Sequence, residues 1–198
     1  MNKLTSYISK SLPHAIFIGF FTFIIAIIIV LSSEFFFDRI ASLYISFAVL
    51  LLIIIVGIVA DVIGVAAAAS IEAPLHAKAA KKVEGADTAV SLVRNADKVA
   101  SFSSDFIGDI CGTVSGAIGA SIIFKLVAEN PSFNVVMLST GMTGLVAALT
   151  VSGKALGKTI AINKANDIIF NVGRVLYKIE KNTGLTLIKT VNERKRRR

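Results

Sequence analysis

The sequence predicts an all-α integral membrane protein, a helical bundle of four spans with a broken second span, short cytoplasmic helices and an interfacial amphipathic belt helix. The 198-residue chain is 55% hydrophobic and only 17% charged, which is far more apolar than a soluble domain of this length. Four stretches of 15 to 24 residues contain no charged side chain, and about 20 residues cross a bilayer core. These stretches are Ala15–Ser33, Ile40–Ala60, Ile110–Phe124 and Asn130–Gly153.

The positions of Lys and Arg predict how the spans are oriented. Basic residues flank the first span at Lys3 and Lys10, fill the long loop after Glu72, and return after Gly153. The two remaining loops carry few of them, and basic loops stay on the cytoplasmic side of a membrane. We therefore expect a multi-pass protein of the cell membrane with both termini in the cytoplasm. The first span offers no convincing cleavage site at its end, so we interpret it as retained and not as a signal peptide.

Charge and the reactive side chains restrict the partners. The net charge of +8 is concentrated in loops and the tail, which favours a lipid bilayer containing anionic lipids and excludes nucleic acid, because no polar basic domain is present to hold a duplex. The single cysteine, Cys111, permits no intramolecular disulfide. His14 and His76 lie far apart in the chain, which gives no zinc-ligand spacing.

The second span continues past its charge-free part. Asp61 is followed by a further apolar stretch, Val62–Ile71, and then by Pro74. This length is too great for one straight crossing, so a bend or break is expected near the cytoplasmic end, with Asp61 in or near the membrane.

The third span carries a polar stripe. Asp105, Asp109 and Thr113 recur every four residues, so they share one face of an α-helix. Ionisable groups in a span are costly and are functional candidates for that reason. Two alternatives stay open: Asp109 belongs to a site or only hydrogen-bonds a neighbouring helix, and Asp105 belongs to a site or lies at the interface.

Small residues and two amphipathic regions complete the pattern. Small residues at helical spacing in the third and fourth spans predict close helix packing: Gly112, Gly116, Ala120, Gly141 and Gly144. The region from Ile160 to Ile179 alternates apolar and basic residues at helical spacing and predicts the belt helix, with packing on a cytosolic partner subunit as the alternative. Short cytoplasmic helices are expected across His76–Arg94, and Arg194–Arg198 forms a basic tail.

Four segments, in order, carry a family resemblance. Ala69–Leu75 takes the place of a Ser-Gly-Ser-Glu-Thr-Ala-Leu element, and Leu92–Lys98 that of Leu-x-Asn-Pro-Asp-Lys. Ile107–Thr113 takes the place of a Gly-Asn-Asn-Leu-Val-Asn span, and Val151–Ala161 that of Phe-Gly-Glu-x-x-Pro-Lys-Thr-x-Ala. In this order and spacing the chain resembles the membrane domain of the CNNM/CorC magnesium transporter family, called DUF21.

The resemblance implies a domain division. Residues 40–181 form the DUF21-like membrane domain, residues 1–39 an N-terminal segment with an extra span, and residues 182–198 a basic cytoplasmic tail. The cytoplasmic CBS and CorC modules that usually follow in the family are missing from this sequence.

The resemblance also implies a magnesium site. Carried over by position, the ligands of a dehydrated Mg²⁺ are Ser70, Asp109, Thr113 and Gly153, with Asp61 and Asp105 attracting cations. Lys154 stands where the family has Glu, and an ammonium is no metal ligand.

The expected function is divalent cation transport or homeostasis, with Mg²⁺ as the cation and a homodimer as the assembly. The alternative is a non-transporting membrane scaffold or subunit in which Lys154 pairs with Asp109 in place of the cation. An enzyme is not expected, because no pair of nucleophile and base stands out.

Overall fold

The computed structural model describes residues 42–184 and, before them, residues 12–13, 16, 19–28 and 31–32. Within these ranges the chain is helical and contains no strand. Three described helices are long and apolar enough to cross a membrane: Leu43–Ala69, Ala96–Glu129 and Val135–Asn163. The described part of the first predicted span consists of the short apolar helix α1, Gly19–Ile28, and of residues 16 and 31–32. The rest of that span lies outside the described residues, as does most of the tail.

Helix α2, Leu43–Ala69, is the most apolar of the three and runs without interruption through Asp61. Ser70 and Ile71 then leave the helix, and α3, Glu72–Ala80, begins at once with Pro74 in its first turn. Proline fits there, because the first turn of a helix needs no donor from it. The interruption that the sequence predicts in this region therefore lies after Ala69, and the preceding 27 residues form one helix.

Two short helices and a π-helical segment lead from α3 to the next long helix. Helix α4, Ala86–Arg94, follows the tight turn at Gly85, whose φ of 80° is left-handed. Helix α5, Ala96–Ala100, leads into a π-helical segment, Ser101–Ile107, and then into α6, Gly108–Glu129.

The last two long helices are joined by a single residue. Helix α7, Val135–Asn163, begins where the side-chain oxygen of Asn134 accepts hydrogen bonds from the amides of Val136 and Met137, at 3.0 and 3.2 Å. Lys164 separates it from α8, Ala165–Thr183, which ends at Gly184 in the left-handed conformation.

The chain forms two compact units. Unit 1 contains the chain up to Ile53 together with Ile110–Ala147, and unit 2 contains Ile54–Asp109 together with Ala148–Arg198. Unit 2 therefore holds the end of α2, helices α3 to α5, the π segment, the second half of α7, and α8.

Unit 2 has its own apolar core. It consists mostly of small and branched residues from α2, α3, α4, α7 and α8: Ala66, Ala67, Leu75, Ala86, Ala89, Val90, Leu92, Ala161, Ile169 and Phe170. The predicted belt helix, α8, uses its apolar face inside this core. A Cβ atom added at Gly173 of α8 would lie 2.8 Å from the amide nitrogen of Ala89 and 2.8 Å from the carbonyl oxygen of Gly85. Helices α4 and α8 thus cross with their backbones in contact, which only glycine permits.

Candidate functional site

Three helical segments of unit 2 approach one another through glycines. A Cβ atom at Gly108 would lie 3.9 Å from the carbonyl oxygen of Gly57, so α2 and the start of α6 are close at this level. On α7, a Cβ atom at Gly153 would collide with the Ile58 side chain of α2, and one at Gly157 would lie 2.7 Å from Val62 Cγ2. We call this meeting of α2, the π segment with Gly108, and α7 the three-helix crossing.

The contacts give the directions of the helices in the crossing. Gly57 is opposite Gly108, and Gly64 is opposite Ala100 and Ser104, so α2 and the π segment run antiparallel. Ile58 meets Gly153 and Val62 meets Gly157, so α2 and α7 run parallel.

Asp61 is a buried carboxylate in this crossing. The residue is only 6% exposed, and Oδ2 has no hydrogen-bond partner within the described part of the chain. Its backbone carbonyl oxygen accepts a hydrogen bond from Ser104 Oγ at 3.4 Å, which places the π segment beside it. A buried ionised oxygen without a partner is costly, and such groups in native proteins are usually satisfied by an ion, a water or another polar group.

The π segment supplies a hydroxyl group, that of Ser104, next to Asp61. Ser103 is buried, and the hydroxyl of Ser104 occupies the space that a Cβ atom at Gly64 would need. A π-helix is rare, is used mostly in single turns and is frequent at functional sites. Here it interrupts a membrane-length helix at the level of the buried acid.

Lys154 brings a positive charge to the same crossing. Its side chain is half-buried, and Nζ lies 3.7 Å from the position that a Cβ atom would take at Gly108. Gly108 precedes Asp109 in the chain, and Gly57 lies one helical turn before Asp61 on α2. The Lys154 ammonium therefore lies near the level of Gly57, one turn of α2 before the buried carboxylate of Asp61.

The structure brings together some of the residues that the sequence predicts as a site and separates others. Gly153 and Lys154 lie at the level of Asp109. Ser70 follows the end of α2 and is 13 positions beyond Gly57, which is roughly 20 Å along a helix. The hydroxyl of Ser70 donates to the carbonyl oxygen of Ala66 at 2.7 Å, an ordinary contact one turn back.

The predicted polar stripe is exposed on the helix surface. Asp105 lies in the π segment and Asp109 at the start of α6, and both are exposed. Thr113, also exposed, belongs to unit 1. Because hydrogen bonds in a π turn span five residues, the spacing of four between Asp105 and Asp109 does not give the common face that an unbroken α-helix would give.

Two contributors to the crossing were missed in the sequence, the carbonyl of Gly57 and the hydroxyl of Ser104. The available signal was the spacing of Gly57, Asp61 and Gly64 on one face of the second span, opposite a serine-containing segment. The position of the π turn has no comparable signal in the sequence.

Comparisons with known proteins found no match to this chain. No family model matches the chain, and neither a curated protein nor a solved structure matches it. Among the described residues, no group of three or more His, Cys, Asp and Glu side chains is arranged to hold a metal ion.

Proposed function

We propose that this protein binds a cation at the three-helix crossing and functions in divalent cation transport or homeostasis, as the CNNM/CorC resemblance suggests. The observation that carries the proposal is the buried Oδ2 atom of Asp61, which has no partner among the described residues. A bound cation would offset the cost of such an oxygen.

Mg²⁺ suits this arrangement chemically. It prefers hard oxygen ligands, retains several water molecules, and is commonly held by one or two carboxylates and not by a complete protein cage. Asp61 would supply the carboxylate and Ser104 a neighbouring hydroxyl. The exposed carboxylates of Asp105 and Asp109 would raise the local concentration of cations near the crossing.

The cellular setting belongs to the same proposal. Three membrane-length helices among the described residues support a protein of the membrane. The distribution of basic residues supports four spans, cytoplasmic termini and contact with anionic lipids. The exposed small-residue faces support a homodimer. No enzymatic step is proposed.

A second function is favoured by the place of Lys154. Its ammonium lies beside Gly108, where it would occupy the space of a cation and act as a fixed counter-charge for the acidic groups around it. The protein would then be a membrane scaffold or a subunit of a larger assembly, and the crossing would be structural.

Flux into proteoliposomes loaded with a Mg²⁺-sensitive dye separates the two functions. The wild-type chain is compared with Asp61→Asn and with the control Asp97→Asn, an exposed acid on α5. If Mg²⁺ passes through the crossing, wild type and the control carry it, and the flux through Asp61→Asn is at least tenfold lower. Equal rates for all three proteins exclude Asp61 as the carrying residue.

Lys154→Gln provides the complementary measurement. If Lys154 only tunes a transport site, the variant retains or gains Mg²⁺ flux, because a competing charge has been removed. If Lys154 is the permanent counter-charge of a scaffold, wild type shows no flux and the variant is destabilised, since an acid loses its compensation.

A further inference from the structure

A buried aromatic ring on α8 holds two cations. The ring of Phe170, a residue only 7% exposed, lies under Lys78 Nζ of α3 at 4.0 Å from the ring centroid and under Arg174 Cζ of α8 at 4.7 Å. Both distances are within the range of cation–π attraction. The two positive charges are therefore held close together, because both contact the same ring.

The two cations are only partly neutralised. Lys78 lies 4.0 Å from Asp167, whose side chain is 75% exposed, so this ion pair is weak and open to solvent. Among the described residues, no carboxylate lies within ion-pair distance of the Arg174 guanidinium. An excess of positive charge is therefore fixed at one place on the surface, and that place suits an anion.

The backbone holds this arrangement in position. A Cβ atom at Gly85 would lie 2.5 Å from Arg174 Cα, so the α4 turn packs directly on the backbone of Arg174. Gly173, the preceding residue, is in similar contact with Ala89. Because Arg174 starts from a rigid position, less conformational entropy is lost when it binds a ligand.

The surroundings indicate which anion is bound. Helix α8 begins two residues after α7 ends, and α3 begins three residues after α2 ends, so both cations follow helices of membrane length. Val175 is 56% exposed and Ile179 is 43% exposed on the same helix as Arg174. Cations that follow the end of a span, with exposed apolar residues on the same helix as one of them, match the boundary between phospholipid headgroups and acyl chains.

We propose that Lys78 and Arg174, which both contact the ring of Phe170, form a site for the phosphate of an anionic phospholipid. The planar guanidinium would pair with two phosphate oxygens, and the lysine would add a point charge. The proposal does not depend on cation transport, because none of its residues lies in the three-helix crossing.

Lipid retention by the full-length protein in mild detergent tests the site. Phosphatidylglycerol or phosphatidylcholine is added, and bound lipid is counted by native mass spectrometry while thermal stability is measured in parallel. The test variant is Lys78→Gln with Arg174→Gln. The control is Lys81→Gln with Lys178→Gln, which removes the same charge from exposed positions at the end of α3 and on α8.

The expected result is selective loss. Wild type and the control retain phosphatidylglycerol in preference to phosphatidylcholine. The test variant binds it roughly 25-fold more weakly, because each basic residue near an anionic surface contributes about fivefold. Phe170→Leu, which keeps an apolar side chain in the core, shows a smaller loss of the same kind, since the attraction of the ring for the cations disappears.

Three results would overturn the proposal. Equal losses in the test and control variants would mean general attraction of charge, and unchanged binding in the test variant would mean that no such site exists. If inorganic phosphate stabilises the protein and phosphatidylglycerol does not compete with it, the site binds a free anion and not a lipid. If the double variant does not fold, the singly substituted Arg174→Gln is compared with Lys178→Gln in the same assay.

Discussion

The amide of Ile71 donates a hydrogen bond to the side-chain oxygen of Asn166 at 2.9 Å, across 95 positions of sequence. Ile71 is the residue that precedes α3, and Asn166 lies in the first turn of α8. The same offset of 95 separates Ile58 from Gly153 and Val62 from Gly157. The parallel packing of α2 and α7 is therefore continued past the end of both helices, where this bond joins the residue before α3 to the first turn of α8.

Asn166→Ala should destabilise unit 2 by about 1 kcal/mol, the usual net value of one hydrogen bond. The amide of Ile71 loses its protein partner but stays accessible to water, because Ile71 is exposed, and this limits the loss. Asn171→Ala, at an exposed position of the same helix, is the matched control. Thermal unfolding in detergent measures both, and equal midpoints for the two variants would remove the proposed role of Asn166.

Gly173→Ala should be more damaging than its single methyl group suggests. The added Cβ would lie 2.8 Å from backbone atoms of Gly85 and Ala89, and backbone cannot move aside as a flexible side chain can. Helices α4 and α8 must separate, at a cost of about 1–3 kcal/mol. Gly19→Ala on α1, where nothing lies within 4 Å of the new atom, is the control and should be neutral or slightly stabilising. Similar unfolding midpoints for both variants would contradict the close crossing.

The sequence predicted the elements better than their interactions. The length and apolarity of the second, third and fourth spans were enough to anticipate three membrane-length helices, because the bilayer imposes the length that a crossing segment needs. The short helices on either side of Gly85 also followed from local composition, since α3 and α4 flank it. Whether a fourth span exists stays a prediction, because much of the first stretch lies outside the described residues.

The arrangement around Asp61 could not be anticipated to the same degree. Periodicity reports which residues share a face only while the helix stays regular, and the π segment breaks that regularity just before Asp109. The sequence therefore favoured the stripe of Asp105 and Asp109, which is exposed, over Asp61, which is buried. The partners of α8 are likewise not encoded in its own amphipathic pattern, because such a face suits a lipid surface or a neighbouring helix equally well.

Gly116→Leu should distinguish a dimer from a monomer. Gly116 and Gly112 are exposed on α6, and a Cβ atom at either position meets nothing within 4 Å, so a larger side chain begins in open space in a single chain. If two copies pack through this face, the substitution forces them apart while the fold remains intact. Light scattering after size-exclusion chromatography should then show half the protein mass for Gly116→Leu but not for Ala147→Leu, an exposed site on α7. Identical masses for both variants and wild type would argue against this interface.

Glu72 should make unfolding depend on pH in the acid range. Its Oε2 atom accepts hydrogen bonds from Arg94 Nε and His76 Nε2, each at 3.0 Å. The bond from Arg94 first, and then that from His76, hold the pKa of the Glu72 carboxyl below its ordinary value of 4.5. A lowered folded-state pKa stabilises the protein above pH 4.5, and this contribution is lost as the pH falls through the folded value.

The matching measurement is the unfolding midpoint of wild type and Glu72→Gln between pH 7 and pH 3. Their difference should be constant at neutral pH and should shrink as the pH falls below 4.5, because the wild-type carboxylate becomes protonated. Glu129→Gln, at the exposed end of α6, controls for general loss of negative charge. A difference that grows towards low pH would have the wrong sign for this ion pair.

Asp61→Asn should stabilise the protein in the absence of divalent cations and abolish its stabilisation by them. The substitution keeps the size of the side chain and removes a charge from a position that is only 6% exposed and has an unpartnered Oδ2 atom. Relief of that burial should raise the free energy of unfolding by roughly 1–3 kcal/mol in buffer containing a chelator. Added Mg²⁺ should stabilise wild type according to its occupancy, by about 2.7 kcal/mol at a hundredfold excess over Kd, and should leave the variant unchanged. Asp97→Asn, which removes an exposed carboxylate, should follow wild type in both buffers. A loss of stability in chelator for Asp61→Asn would mean that the carboxylate is already compensated within the protein, and the cation site at the crossing would then have no basis.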